Sequence, residues 1–136
     1  LISVDTNVLV RVLTDDTGDT EQTSQARQLV ALAGTVFVSQ IVQVELVWVL
    51  QSAYGLGKQD ILLVLDELLE RPAYHLQLSL SFEAALERFR NSNAGFADSL
   101  IAVEGLKSGN ALWTFDRKLS HQDGVRRLTA EALAGW

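Results

Sequence analysis

LISVDTNVLVRVLT, residues 1–14, decides how the rest of the chain is read. Its first five residues are an apolar run closed by Asp5, the pattern of a short buried strand. Thr6 and Asn7 are helix-entry residues leading into VLVRVLT. A strand that passes straight into a helix is half of an α/β unit, and the motif recurs. TVFVS (35–39) precedes the long apolar stretch 40–53, and ALWTF (111–115) precedes the single helical turn DRKLS. Short apolar strands alternating with helices imply an α/β fold with a mainly parallel sheet.

The intervening segments fit this plan. DDTGD (15–19) is a turn, and residues 21–33 form a helix that Gly34 stops as a C-cap. The helix over 40–53 runs out at Tyr54-Gly55-Leu56-Gly57, and its partner over 58–70 meets a hard stop at Arg71-Pro72. Residues 74–78 alternate weakly as a strand, and 81–90 carry helical spacing through Phe82, Ala85, Leu86 and Phe89. NSNAG (91–95) breaks the chain before a helix over 96–107, and 125–128 supply a last strand. No repeat, low-complexity tract or linker interrupts the 136 residues, so one domain over 1–136 is expected.

Composition narrows the chemistry. At 48% hydrophobic and 21% charged with one Pro, the chain can bury a core, which excludes disorder. No apolar run exceeds five residues, far short of the roughly 20 a membrane span needs. No leader directs export, so the expected location is cytoplasmic, and the lack of any Met, even at position 1, points to a trimmed N-terminus. With no Cys there is no disulfide, thiolate nucleophile or Cys-ligated zinc. Two His, at 75 and 121, are poor material for a His-rich metal site or a Ser-His-Asp triad. The chemistry therefore rests on carboxylates. The net charge of −6 argues against a non-specific nucleic-acid coat but allows a nucleic-acid enzyme whose acids hold divalent cations.

In open α/β sheets ligands bind beyond the carboxyl ends of the strands. Asp5 and Asp116 fall at such ends, although each, like Asp98 near a helix start, also serves as an ordinary helix cap. Glu45 has no such excuse. Gln40, Gln43 and Gln51 mark the wet face of the helix over 40–53, and Glu45 projects away from them among Ile41, Trp48, Val49 and Ser52. A carboxylate on an apolar face needs a buried Arg, a proton or a metal. A cation shared with Asp5 and Asp116 meets that need for all three.

DTNVLVR (5–11), VSQIVQVELVWVL (38–50), FADSLIA (96–102) and TFDRKL (114–119) resemble, in order and spacing, the four motif blocks of PIN-domain proteins. The resemblance covers nearly the whole chain. It implies a three-layer α/β/α PIN-like fold with a mainly parallel central sheet, and a metal-dependent endoribonuclease. Small single-domain bacterial members are mostly VapC-type toxins of toxin–antitoxin pairs. Carried over by position, the catalytic acids are Asp5, Glu45, Asp98 and Asp116. Asp5, Asp98 and Asp116 are the implied metal ligands, with Glu45 either a further ligand or the holder of the attacking water. Asn7, Ser39 and Thr114 fall where relatives carry supporting polar groups. Two departures stand out: many relatives have a further acid just before the third motif Asp and another just after the last. This chain has Gly95 and Lys118 there, which weakens a second metal.

Oxygen ligands without Cys or a His cluster select Mg²⁺ or Mn²⁺. In the relatives cleavage leaves a 5′-phosphate and a 3′-hydroxyl. Arg11, Arg117 and Lys118 are candidate phosphate contacts, against salt bridges or plain solvation, and Trp48 and Phe96 are candidate base-stacking groups, against core. Eight apolar residues in ten over 41–50 and seven in ten over 60–69 suggest a homodimer through these helices. The resemblance further implies a cognate antitoxin, and an Arg or Lys from such a partner's tail has the charge to take the cation's place among the acids. The alternatives are a stand-alone RNA-processing nuclease, a Mg²⁺-binding receiver-like signalling domain, and an inert interaction domain. The receiver reading lacks an acid pair after the first strand, a phosphorylatable Asp after a middle strand and a Lys after a late strand.

Overall fold

Parallel pairing of short strands organises the chain, as the alternation of strands and helices requires. The computed structural model describes residues 1–15 and 18–136 and divides them into two compact units, Leu1–Ser79 and Leu80–Trp136. The expected turn DDTGD lies partly outside the described residues, at Asp16 and Thr17.

The first unit holds β1 (Ile2–Ser3), α1 (Thr6–Leu13), α2 (Thr20–Ala33), β2 (Val36–Val38), α3 (Gln40–Ser52), α4 (Lys58–Glu70) and β3 (Tyr74–Leu76). Its strands form one sheet in the order β1-β2-β3, all parallel, with Ile2 opposite Val36 and Val36 opposite Tyr74. Each parallel step needs a crossover, and the helix pairs α1–α2 and α3–α4 supply it. β2 is central and buried through Val36 and Val38. β1 is shorter than the stretch 1–5 and, among the described residues, pairs with β2 at one end of the strand order. The local stops act as read: Gly34 follows α2 at φ 77°, a left-handed position that a side chain disfavours, and α4 ends at Glu70 before Arg71 and Pro72. Leu9, Leu46, Leu50, Ile61, Leu65 and Leu68 are the fully buried large aliphatics of this unit.

The second unit begins within α5 (Ser79–Arg90) and continues through α6 (Phe96–Leu106), β4 (Leu112–Thr114), a 3₁₀ turn at Leu119–His121, β5 (Val125–Arg127) and α7 (Ala130–Ala134). β4 and β5 pair in parallel as a separate two-stranded sheet. Phe82 and Phe89 pack on Phe96 at centroid distances of 5.5 and 6.1 Å, so Phe96 is core and not a base-stacking group. A second cluster gathers Ala94, Ala102, Leu119 and Val125. The terminal helix α7, which the sequence pattern left unread, is capped by the Thr129 hydroxyl, and Trp136 beyond it lies 5.6 Å from Trp113. The elements are those of the expected α/β/α class, with every strand pairing parallel among the described residues. No helix among these residues is long and apolar enough to cross a membrane.

Candidate functional site

Asp5 stands where β1 gives way to α1, and its side chain caps the helix: Oδ1 accepts from the Val8 amide at 3.0 Å. That is the ordinary capping role, and it leaves the second carboxylate oxygen facing solvent on an exposed residue. One residue on, the Thr6 hydroxyl donates to Glu45 Oε1 at 3.2 Å across 39 positions of sequence. The first turn of α1 and the middle of α3 are thus tied together, and Glu45 is brought beside the helix entry that Asp5 caps. Ser39 caps α3 through its own hydroxyl, which accepts from the Val42 amide, so both acid-bearing helices of this unit start on side-chain caps.

The middle of α3 departs from the sequence reading, although Gln51 is exposed as expected. Glu45 is exposed, on a face it shares with Ile41 at 72% and Trp48 at 67% exposure. Gln43, read as part of the wet face, is 0% exposed. Its Nε2 donates to the Val38 carbonyl at 3.2 Å and to the Gln77 carbonyl at 3.0 Å, joining the carboxyl ends of β2 and β3. Gln77 returns the link by accepting from the Gln40 amide at 2.8 Å through Oε1. Gln43 Oε1 is left buried without a partner, so the amide is retained at some cost for what its nitrogen does. Glu45 therefore needs no buried arginine, and none of the described residues forms an ion pair with it. Trp48 is likewise a surface side chain and not part of the core.

In the second unit Asp98 occupies the first turn of α6, but it is not the cap. Gly95 holds that position without a side-chain bond, and Asp98 makes no hydrogen bond or ion pair with a described residue. A half-exposed carboxylate in a helix's first turn is favoured by the helix dipole and remains available. Asp116 closes a tight turn after β4: Oδ1 accepts from the amides of Lys118 at 2.7 Å and Leu119 at 3.1 Å. Thr114 Oγ1 accepts from the Asp116 amide at 2.9 Å, so Thr114 orients the backbone that carries the acid. Among the described residues none of the four acids pairs with a cation.

The basic candidates divide. Arg11 Nε donates to Asn7 Oδ1 at 3.1 Å, which fixes Asn7 to the following turn of α1. The salt bridge offered as an alternative for Arg11 is not the one Asp15 makes, since Asp15 pairs with Arg27 at 3.3 Å. Asp5, Asn7 and Arg11 line one side of a cavity of about 290 Å³ closed by Gln22, Gln25 and Leu29 of α2. Arg117 and Lys118 are exposed and line a separate cleft in the second unit.

Hard, anionic oxygens suit Mg²⁺ or Mn²⁺, and each of the four acids keeps at least one oxygen that no described donor occupies. No group of three or more His, Asp or Glu among the described residues is already gathered as a metal cage. Mg²⁺ rarely needs such a cage, because it keeps several waters and binds through one or two carboxylates plus substrate phosphate. The profile described as PIN domain matches residues 2–125, which takes in parts of both units and all four motif blocks. No curated protein matches the chain significantly.

Proposed function

The chain belongs to the PIN domain family, a nuclease-type fold whose members usually use divalent metal ions, and from that premise we propose that it is a Mg²⁺- or Mn²⁺-dependent endoribonuclease acting as one domain over 1–136. The observation that carries the reading is the state of the motif acids. Asp5, Glu45, Asp98 and Asp116 fall in the four blocks that resemble the family's motifs, and none is neutralised by a neighbouring Lys or Arg among the described residues. Exposed carboxylates that cap helices and turns need no cation partner, so the support for a catalytic role is that each acid keeps an open oxygen where a metal or water can use it.

In this proposal Asp5, Asp98 and Asp116 hold the metal, and Glu45 is either a further ligand or the group that orients the attacking water. A cation held by these residues would supply Lewis-acid stabilisation of the phosphodiester and of the leaving oxygen. The chain's own contribution is positioning. The Thr6 hydroxyl fixes one oxygen of Glu45, Thr114 fixes the Asp116 backbone, and Asn7 and Ser39 order the starts of α1 and α3. Arg11, Arg117 and Lys118 meet phosphates of the RNA.

The toxin role belongs to the same proposal: a cytoplasmic nuclease restrained by a cognate antitoxin that sets a basic side chain among the acids in place of the cation. Ile41 and Trp48 on α3 and Leu63 on α4, each more than two-thirds exposed, support a homodimer through this helical face. The deciding experiment is cleavage of RNA by purified protein with Mn²⁺, with EDTA, and as Asp5→Asn. Activity that is Mn²⁺-dependent and lost in the variant, with 5′-phosphate products, carries the nuclease. Growth arrest on expression of the wild type but not of Asp5→Asn, relieved by a small co-purifying partner, carries the toxin. Harmless expression with RNA cleavage intact assigns a stand-alone RNA-processing enzyme.

A further inference from the structure

We propose that the second unit carries a nucleotide subsite, a cleft that seats one phosphate and one base of single-stranded RNA beside the Asp116 turn. The cleft has a volume of about 290 Å³ and is lined by residues 91–93 on one side and by Arg117, Lys118, His121 and Gln122 on the other. The proposal rests on the nuclease reading and adds to it the place where a flanking nucleotide is held.

Charge is the first reason. The chain carries 17 acids against 11 bases, yet no acid lines this cleft and two permanent cations do. Neither Arg117 nor Lys118 forms an ion pair with a described residue, so both charges are open to an oxyanion. Their backbones are fixed. The Lys118 amide donates to Asp116 Oδ1 at 2.7 Å, and the Ser120 hydroxyl donates to the Arg117 carbonyl at 2.7 Å. The same turn therefore positions a motif acid and two phosphate-binding side chains.

The second reason is the chemistry of the rest of the lining. Asn91 and Asn93 are exposed amides with both donors and acceptors, and His121 offers a flat exposed imidazole. These groups hydrogen-bond base edges and stack on base faces, which is how unpaired RNA bases are read. The volume lies near the lower limit of ordinary ligand pockets. It suits one splayed nucleotide and not a duplex.

The third reason is that the wall is built in advance. Gln122 Oε1 accepts from Arg88 Nη1 at 2.8 Å, while Nε2 donates to Ser92 Oγ at 3.2 Å and reaches Ser99 Oγ at a long 3.5 Å. Ser92 Oγ also accepts from the Ala94 amide at 3.3 Å. One amide thus joins α5, the 91–95 loop, the first turn of α6 next to Asp98, and the segment after the 3₁₀ turn. A preformed wall lowers the ordering cost of binding, and its attachment beside Asp98 fixes the seated nucleotide relative to that acid. Gln122 is a positioning residue in this account.

The test uses the whole chain and a fluorescent single-stranded RNA in EDTA, with anisotropy measured across a salt series. Arg117→Gln combined with Lys118→Gln, both at exposed positions, should weaken binding about fivefold near 0.1 M salt and lower the log–log salt slope by about 0.7, the loss of one phosphate contact on a single strand. Asn93→Ala and His121→Ala should keep the salt slope. In Mn²⁺ they should change the relative cleavage of RNAs differing at one flanking base. Gln122→Ala should do both in part, with the melting temperature reported alongside. A double variant with the wild-type slope, together with unchanged base preference in the other variants, overturns the subsite and leaves the nuclease standing. A wild type that neither binds nor cuts RNA overturns both.

Discussion

Exchanging the two near-isosteric side chains of α3 in opposite directions, Glu45→Gln and Gln43→Glu, separates function from fold within three residues of one helix. Glu45 is exposed and makes one hydrogen bond, from Thr6 at 3.2 Å. A glutamine oxygen accepts that bond equally, so the change in stability should stay within about 0.5 kcal/mol. With an unfolding entropy of roughly 2.1 cal/mol/K per residue over 136 residues, that is about 2 °C in Tm. Nuclease activity should fall by roughly a hundredfold or more, since the charge that binds metal or orients water is gone. Gln43→Glu should do the reverse. Gln43 is fully buried, and its amide nitrogen serves two carbonyls, Val38 and Gln77. A glutamic acid there must take up a proton at neutral pH, at about 4 kcal/mol, and satisfies only one of the two carbonyls, which adds about 1 kcal/mol. By the same conversion the total of about 5 kcal/mol is about 17 °C in Tm. Because the buried acid titrates above its unfolded counterpart, its penalty is absent in acid and grows with rising pH. The deficit against wild type should therefore shrink by about 1.4 kcal/mol per unit as pH falls from neutral toward the carboxylate range. Calorimetric melts at neutral and mildly acid pH, with RNA cleavage on the same preparations, read both arms. A Glu45→Gln protein that loses more than about 5 °C while keeping activity, or a Gln43→Glu protein that melts like wild type at neutral pH, would refute the assignment of the two faces.

Thr6→Val should leave Tm within about 3 °C but reduce cleavage roughly tenfold to a hundredfold by freeing Glu45; unchanged kinetics would show that the hydroxyl contact has no positioning role. Saturating Mn²⁺, at about a hundred times its dissociation constant, should raise stability by about 2.7 kcal/mol, and Asp116→Asn should abolish most of that gain in a thermal shift assay. Burial, reinforced by Glu67 and only partly offset by Arg71, holds the Tyr74 phenol above its ordinary range. The folded state keeps that proton longer than the unfolded chain does, so this contribution is intact below the unfolded phenol range and is lost as pH rises through it. Tyr74→Phe should flatten the alkaline limb of the stability curve, and an unchanged limb would assign the loss elsewhere. Light scattering at micromolar concentration should report a dimer that Trp48→Lys dissociates; a monomeric wild type would remove the proposed helical interface.

The order and kind of the elements, and much of their extent, follow from local features of the chain. α4 runs from Lys58 to Glu70 because Gly57 and Arg71-Pro72 bracket it, and α2 stops where Gly34 takes a left-handed turn. These are local effects of backbone sterics and missing donors, legible without knowing what packs where. The capping roles of Asp5 and Asp116 are of the same kind and appear as expected from their place before a helix or turn, whereas Gly95 takes the cap position before α6 that the sequence reading gives to Asp98. Which face of α3 lies inside is set by long-range packing. Both faces of that helix are apolar, so its 3.6-residue period does not identify the buried side. The carbonyls that draw Gln43 inward lie at the ends of strands, one of them 34 residues away. The Thr6–Glu45 bond and the hub at Gln122 belong to the same class: they join segments 39 and 23 to 34 residues apart, and neither partner carries a local pattern that announces the other. Propensity and capping act over one turn of chain, whereas the burial of a polar group is fixed by whichever distant donors and acceptors the fold brings within 3 Å or so of it.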